Sequence, residues 1–117
     1  NIDDIDVLEN LNSVKYLRLE NMNIDDISVI EEMESLQGIV LGNLAIEDID
    51  SLDNLENITV LSLWGLAIED VDALEELVNL QHLYISSVTV DDVDEAEDIV
   101  DMLEDDYNVQ VEKAEFE

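Results

Sequence analysis

The sequence predicts an α/β solenoid, in which short coils stack side by side and share a parallel sheet along one face. Three observations predict it. The chain repeats itself without gaps over residues 1–22, 23–44, 45–66 and 67–88. Each block carries an apolar pair separated by one residue: Leu17/Leu19, Ile39/Leu41, Leu61/Leu63 and Leu83/Ile85. This period of two belongs to a strand with alternate residues facing inward. The remaining apolar residues fall about every third position. That spacing suits a 3₁₀-like or irregular segment returning the chain to the next strand.

The columns are explicit. Ile2, Ile24, Ile46, Ile68 and Val90 fill one, and Ile5, Ile27, Ile49, Val71 and Val93 fill the next. Leu8, Ile30, Leu52 and Leu74 follow, then Leu11, Met33, Leu55 and Leu77, then Val14, Leu36, Ile58 and Leu80. One such coil cannot bury its own apolar face, so the coils must stack into a shared core. Strands are expected near 14–21, 36–43, 58–65 and 80–87.

The 22-residue period and the run Ile46-Glu-Asp-Ile49-Asp-Ser-Leu52-Asp-Asn-Leu55-Glu-Asn-Ile58 resemble the leucine-rich repeats, in the short internalin-type class. The resemblance covers residue 1 to about residue 93. It implies a leucine-rich-repeat solenoid with the sheet on the concave side, and a binding scaffold whose partners differ from member to member. The sequence departs from the family at one column. Where an Asn usually bonds the turn backbone, this chain has Met22, Leu44, Leu66 and Val88. Apolar side chains cannot satisfy turn amides, so backbone, water or a tighter turn must do so.

Both ends differ from the repeats. Val93, Ala96, Val100, Leu103 and Tyr107 recur at helical spacing, and Asp92 with Glu95 three residues on forms a capping-box pattern. The segment 92–107 is therefore expected to be a helix ending at Asn108. Val111, Ala114 and Phe116 then return to strand spacing. The chain is expected to be one domain, 1–117, with four repeats over 1–88 and a C-terminal repeat and helix–strand cap over 89–117. No comparable cap precedes the first strand, which leaves an N-terminal edge open to association. Charges such as Lys15 and Arg18 on that strand are one way of discouraging edge pairing; a missing N-terminal cap and a partner on that edge are the alternatives. The chain starts at Asn1 without Met, so processing or excision from a longer chain is expected.

Composition narrows the function classes. There are 33 Asp and Glu against 3 Lys and Arg, for a net charge of −30, yet 47% of the residues are hydrophobic. That much apolar content separates the chain from disordered acidic tails. Nucleic acid and anionic membranes need the opposite sign, so direct binding to either is not expected. No segment approaches the roughly 20 apolar residues of a membrane span. No signal-peptide pattern opens the chain, which leaves the compartment open with a slight preference for the cytoplasm. The chain has no Cys and no Pro, so there is no disulfide and no thiolate metal site. Adaptation to high salt, mimicry of a polyanion and simple solubility are competing accounts of the acidity.

The rare residues converge on one face. Outward strand positions include Lys15, Tyr16, Arg18 and Glu20; Gln37, Gly38, Val40 and Gly42; Thr59, Val60, Ser62 and Trp64; Gln81, His82, Tyr84 and Ser86; and Glu112, Lys113 and Glu115. All three basic residues, the only His, the only Trp and two of the three Tyr are among them. The stretches 36–43, 58–65 and 80–87 contain no carboxylate. A neutral, partly aromatic strip on an anionic body is the pattern of a partner site, because Trp, Tyr and Arg dominate interface hot spots. The expected contacts are Tyr16, Arg18, Val40, Val60, Trp64, His82 and Tyr84. Trp64 lies between Gly42 and Ser86, small residues expected to leave both sides of its ring open.

No catalytic set or cofactor motif emerges. His82 has Ser62 and Ser86 on its face, but the central strands supply no orienting acid. Asp48, Asp50 and Asp53 have the look of a calcium loop without its central Gly or terminal Glu. There is no phosphate or dinucleotide loop, with only three Gly in the chain. No cofactor is expected and the chain is not expected to be an enzyme. The sequence therefore points to a module that binds another protein through its concave face. Two rivals are an anionic inhibitor or immunity-type protein blocking a basic nucleic-acid-binding partner, and a fragment of a larger surface solenoid.

Overall fold

A computed structural model describes residues 14–52, 55–77 and 79–116. The first coil's Ile2, Ile5, Leu8 and Leu11, together with Asp53, lie outside these residues. Five strands form one parallel sheet in chain order: β1 (Tyr16–Glu20), β2 (Gly38–Gly42), β3 (Val60–Trp64), β4 (His82–Val88) and β5 (Gln110–Phe116). Short 3₁₀ turns at Ser28–Glu32, Asp50–Leu52 and Asp72–Glu76 lie on the return side. One helix, α1 (Val93–Asp106), replaces the return turn of the last coil. Neighbouring strands pair in register at a step of 22, so Leu17, Ile39, Leu61 and Leu83 form one row and Leu19, Leu41, Leu63 and Ile85 the next.

The apolar columns make one continuous core. Ile24, Ile46, Ile68 and Val90 are buried, as are Ile30, Leu52 and Leu74, and Leu36, Ile58 and Leu80. Each fully buried Leu or Ile contributes about 1.5–3 kcal/mol relative to exposure. The strands are shorter at their entry than the apolar pattern predicts. There, two successive amides share one carbonyl of the preceding coil: Gln37 and Gly38 donate to Lys15 at 2.7 and 3.1 Å, and Thr59 and Val60 donate to Gln37 at 2.7 and 3.2 Å. The ladder proper begins one residue later.

The turn lacking the family's Asn is closed by backbone. Asn21, Asn43, Gly65 and Ser87 all adopt left-handed φ, between 50° and 62°. Their column directly precedes the apolar one. The amides of Asn21, Asn43 and Gly65 donate to the carbonyls of Gly42, Trp64 and Ser86 in the next coil at 3.0–3.1 Å. The left-handed residue turns the chain, and Leu44, Leu66 and Val88 enter the core. A side-chain amide ladder exists at the opposite corner: Asn57 Nδ2 donates to the Glu34 carbonyl at 3.0 Å, and Asn79 Nδ2 to that of Glu56 at 2.7 Å. Two Asn exactly one repeat apart were the signal for it.

At the C-terminus, the Asp92 carboxylate accepts the Glu95 amide at 3.1 Å and starts α1. Ala96, Ile99, Val100 and Leu103 turn inward at helical spacing. Asn108, at φ 57°, ends the helix in the left-handed conformation common after a last turn. In β5 the pairing with β4 slips between Leu83 and Tyr84 and again between Ile85 and Val88. Val111 and Phe116 pack partly on the core, whereas Ala114 is exposed rather than inward. No helix among the described residues is long and apolar enough to cross a membrane.

Candidate binding face on the sheet

Register sorts the outward residues into rows that run across the strands. One row reads Tyr16, Gly38, Val60, His82, Gln110, and the next Arg18, Val40, Ser62, Tyr84, Lys113. A third reads Glu20, Gly42, Trp64, Ser86. Each row sets a small residue among larger ones: Gly38 in the first, Ser62 in the second, and Gly42 and Ser86 in the third. Tyr16, Val60 and Tyr84 are exposed, at 71%, 40% and 36%.

The small residues leave two hollows. One, of about 330 Å³, lies over β1 and β2 with Tyr16, Arg18, Val40 and Val60 on its walls. The other, of about 530 Å³, lies over β3 and β4 and is bounded by Val60, Ser62, His82, Tyr84 and Glu112. Val60 is common to both. Six of the seven residues expected as contacts therefore border one or other of two hollows that share Val60.

Trp64 borders neither. Its indole lies across Gly42: a Cβ built on Gly42 would sit 2.0 Å from Nε1 and 2.1 Å from Cε2. The expectation that both faces of the ring stand open is corrected, because the missing Gly42 side chain makes a seat that hides ring area from water. The ring in turn buries Gly42. Tyr16 leans over Gly38 in the same way, with Cδ1 2.8 Å from the position of a Cβ, but keeps most of its surface exposed.

The charges on this face are few. Arg18 forms an ion pair with Glu20 on its own strand, an exposed contact of the kind worth about 0–1 kcal/mol. Lys113 pairs with Glu115 at 3.7 Å. Ser62, His82 and Glu112 share the larger hollow, yet no hydrogen bond among the described residues links them.

The turn edge carries the opposite character. Asp26, Asp48 and Asp70 stack one repeat apart, and each carboxylate accepts the backbone amide two residues on, at 2.8, 3.2 and 3.1 Å. This gives the carboxylate a local role in three successive coils: each accepts the first amide of the 3₁₀ turn that follows. The bond from the Ser28 amide, helped by its hydroxyl, holds the Asp26 carboxyl below the usual range. Asp50 is pushed up by partial desolvation and by Asp48, Asp70 and Asp72. Glu95 is pushed up chiefly by Asp72, with desolvation and Asp92 adding. Asp48 of the suggested calcium loop has an oxygen engaged with the Asp50 amide. Among the described residues no three His, Cys, Asp or Glu converge as a metal site.

No protein-family model and no curated protein matches the sequence. Solved structures do match. Internalin C2 from Listeria monocytogenes superposes with a TM-score of 0.77 at 21% identity, over 97% of this chain and 50% of that one. A second internalin from the same organism, inlF, superposes with a TM-score of 0.78 at 20% identity, over 99% of this chain and 34% of that one. The chain thus spans half the length of the first and about a third of the second. The fold is a leucine-rich-repeat solenoid of the internalin type, with its parallel sheet on the concave side.

Proposed function

We propose that this chain is a non-catalytic protein-binding module that receives its partner on the concave sheet face. The observation that carries this reading is the pair of hollows on either side of Val60, on a strip free of carboxylates from β2 to β4, in a chain of net charge −30. Rigid sheet aromatics bury large area at low entropic cost. Tyr16 and Tyr84 stand on walls at either side of Val60, Val40 and His82 complete the apolar and polar lining, and Arg18 sits at one end. Trp64 lies over Gly42 at the margin of this face.

Affinity capture from the native source tests the reading, with the parent chain and Tyr84→Ala side by side. Tyr84→Ala should cost about 2 kcal/mol of binding, roughly 30-fold, while circular dichroism stays unchanged. A partner held equally by both chains would remove the concave face from consideration. Retention that ignores Tyr84 but collapses in high salt would move the binding role to the carboxylate-rich turn edge.

A further inference from the structure

We propose that the occupant of the concave face is a cationic protein segment presenting two apolar side chains about 10 Å apart. This rests on the binding role above and adds the chemistry of the partner. The first support is spacing. The two hollows are centred about two strands apart on either side of Val60. Parallel strands lie about 4.8 Å apart, so the centres are separated by roughly 10 Å along the solenoid. A segment in the polyproline II conformation rises about 3.1 Å per residue with three residues per turn, so side chains at i and i+3 face the same way about 9 Å apart and reach both hollows. Each hollow owes its depth to a small outward residue between larger ones: Gly38 between Tyr16 and Val60, and Ser62 between Val40 and Tyr84. Both are shaped for side chains, not for a flat surface.

The second support is charge. Of the two ionic side chains at the hollows, Arg18 is already neutralised by Glu20. Glu112 makes no ion pair among the described residues, since the neighbouring Lys113 turns to Glu115. The strip therefore offers an unanswered anion at its β5 end. Around it lies the rest of a chain with 33 acids, whose summed potential is focused over a low-dielectric, neutral strip. An acidic segment is repelled before it reaches the hollows, and a basic one is steered in. Lysine stems on such a segment also have Tyr16 and Tyr84 ring faces to cover.

Titration of the intact chain with three synthetic octapeptides tests this by NMR shift mapping. The probes are Lys-Lys-Leu-Lys-Lys-Leu-Lys-Lys, octalysine, and the first peptide with Glu replacing every Lys. In about 0.15 M salt, where screening beyond roughly 8 Å is strong, the Lys/Leu peptide should bind at least tenfold tighter than octalysine. The largest shifts should fall at Val40, Val60 and Tyr84, and the Glu/Leu peptide should not bind. Val60→Glu separates hollows from bulk attraction. It makes the chain more negative, so charge alone would tighten the Lys/Leu peptide, whereas a blocked hollow brings it down to the octalysine level. Tyr84→Ser should give the same loss and serves if Val60→Glu does not fold. Equal binding of octalysine and the Lys/Leu peptide, or tighter binding to Val60→Glu, overturns the proposal. If the Glu/Leu peptide binds best, the cationic occupant is wrong while the concave face stands as a protein site. The binding role itself fails only if partner capture is indifferent to Tyr84→Ala.

Discussion

The concave sheet and the turn edge are built by the same 22-residue step, yet they treat their columns in opposite ways. On the sheet, no outward row repeats one residue type: Tyr16, Gly38, Val60 and His82 stand side by side, as do Arg18, Val40, Ser62 and Tyr84. On the turn edge, Asp26, Asp48 and Asp70 repeat the same carboxylate one strand spacing apart. Like charges at that distance repel. Each of these Asp accepts the first amide of the next 3₁₀ turn, a local backbone bond that offsets the repulsion. No such local demand acts on the outward sheet positions. Those positions hold mostly aromatic, small and neutral residues. In a repeat protein, the face whose columns are broken is the face to examine for a partner.

The largest effect expected from breaking this contrast comes from the seat of Trp64. Gly42→Val places a side chain where the indole lies, and should cost about 1–3 kcal/mol by overpacking. Trp64 emission should shift to the red, and adding Trp64→Gly should recover part of the loss in urea unfolding. An unchanged stability would mean that the ring moves aside freely and belongs with the contact residues after all. The next effect is on the acidic edge. Raising NaCl from about 0.05 to 1 M shortens the screening length to about 3 Å. It should raise Tm by about 5 °C or more, equivalent to roughly 1 kcal/mol. A Tm that falls or stays level would show that the stacked carboxylates do not strain the fold.

The smallest effect carries a sign that separates two acids of the same edge. Asp50 titrates above the ordinary value, so its ionised form disfavours the folded state at neutral pH. Asp50→Asn should be more stable than the parent at pH 7, by under about 0.5 kcal/mol. The advantage should fade as pH falls through the raised folded pKa into the ordinary carboxylate range. Asp26 titrates below the ordinary value, because the Ser28 amide bonds its ionised form. Asp26→Ala should be the less stable at pH 7, and its deficit should close only as pH drops below the ordinary carboxylate value. Urea unfolding at about pH 7 and pH 4 decides both, and matching signs for the two variants would contradict this account of the turn carboxylates.

The solenoid, its 3₁₀ returns, the capped helix and the outward face were all legible in the residue pattern. Periods of two, three and 22 are imposed directly by strand pleat, turn pitch and coil stacking. Tyr16, Arg18, Val40, Val60, His82 and Tyr84 could be placed on one face for the same reason, since register follows from an ungapped repeat. The backbone closure of the turns at Asn21, Asn43, Gly65 and Ser87, and the amide ladder through Asn57 and Asn79, needed the neighbouring coil. Their bonding partners lie about one repeat away in the chain.

Trp64 shows the boundary most clearly. The sequence alone determined that it faces outward beside Gly42, because alternation and register depend only on counting. Only the tertiary structure decided that its ring lies down on that glycine instead of standing free. That choice depends on the space left between two strands and on how much aromatic surface it hides from water. Periodicity assigns a side chain to a face, whereas packing across strands sets where on that face its atoms come to rest.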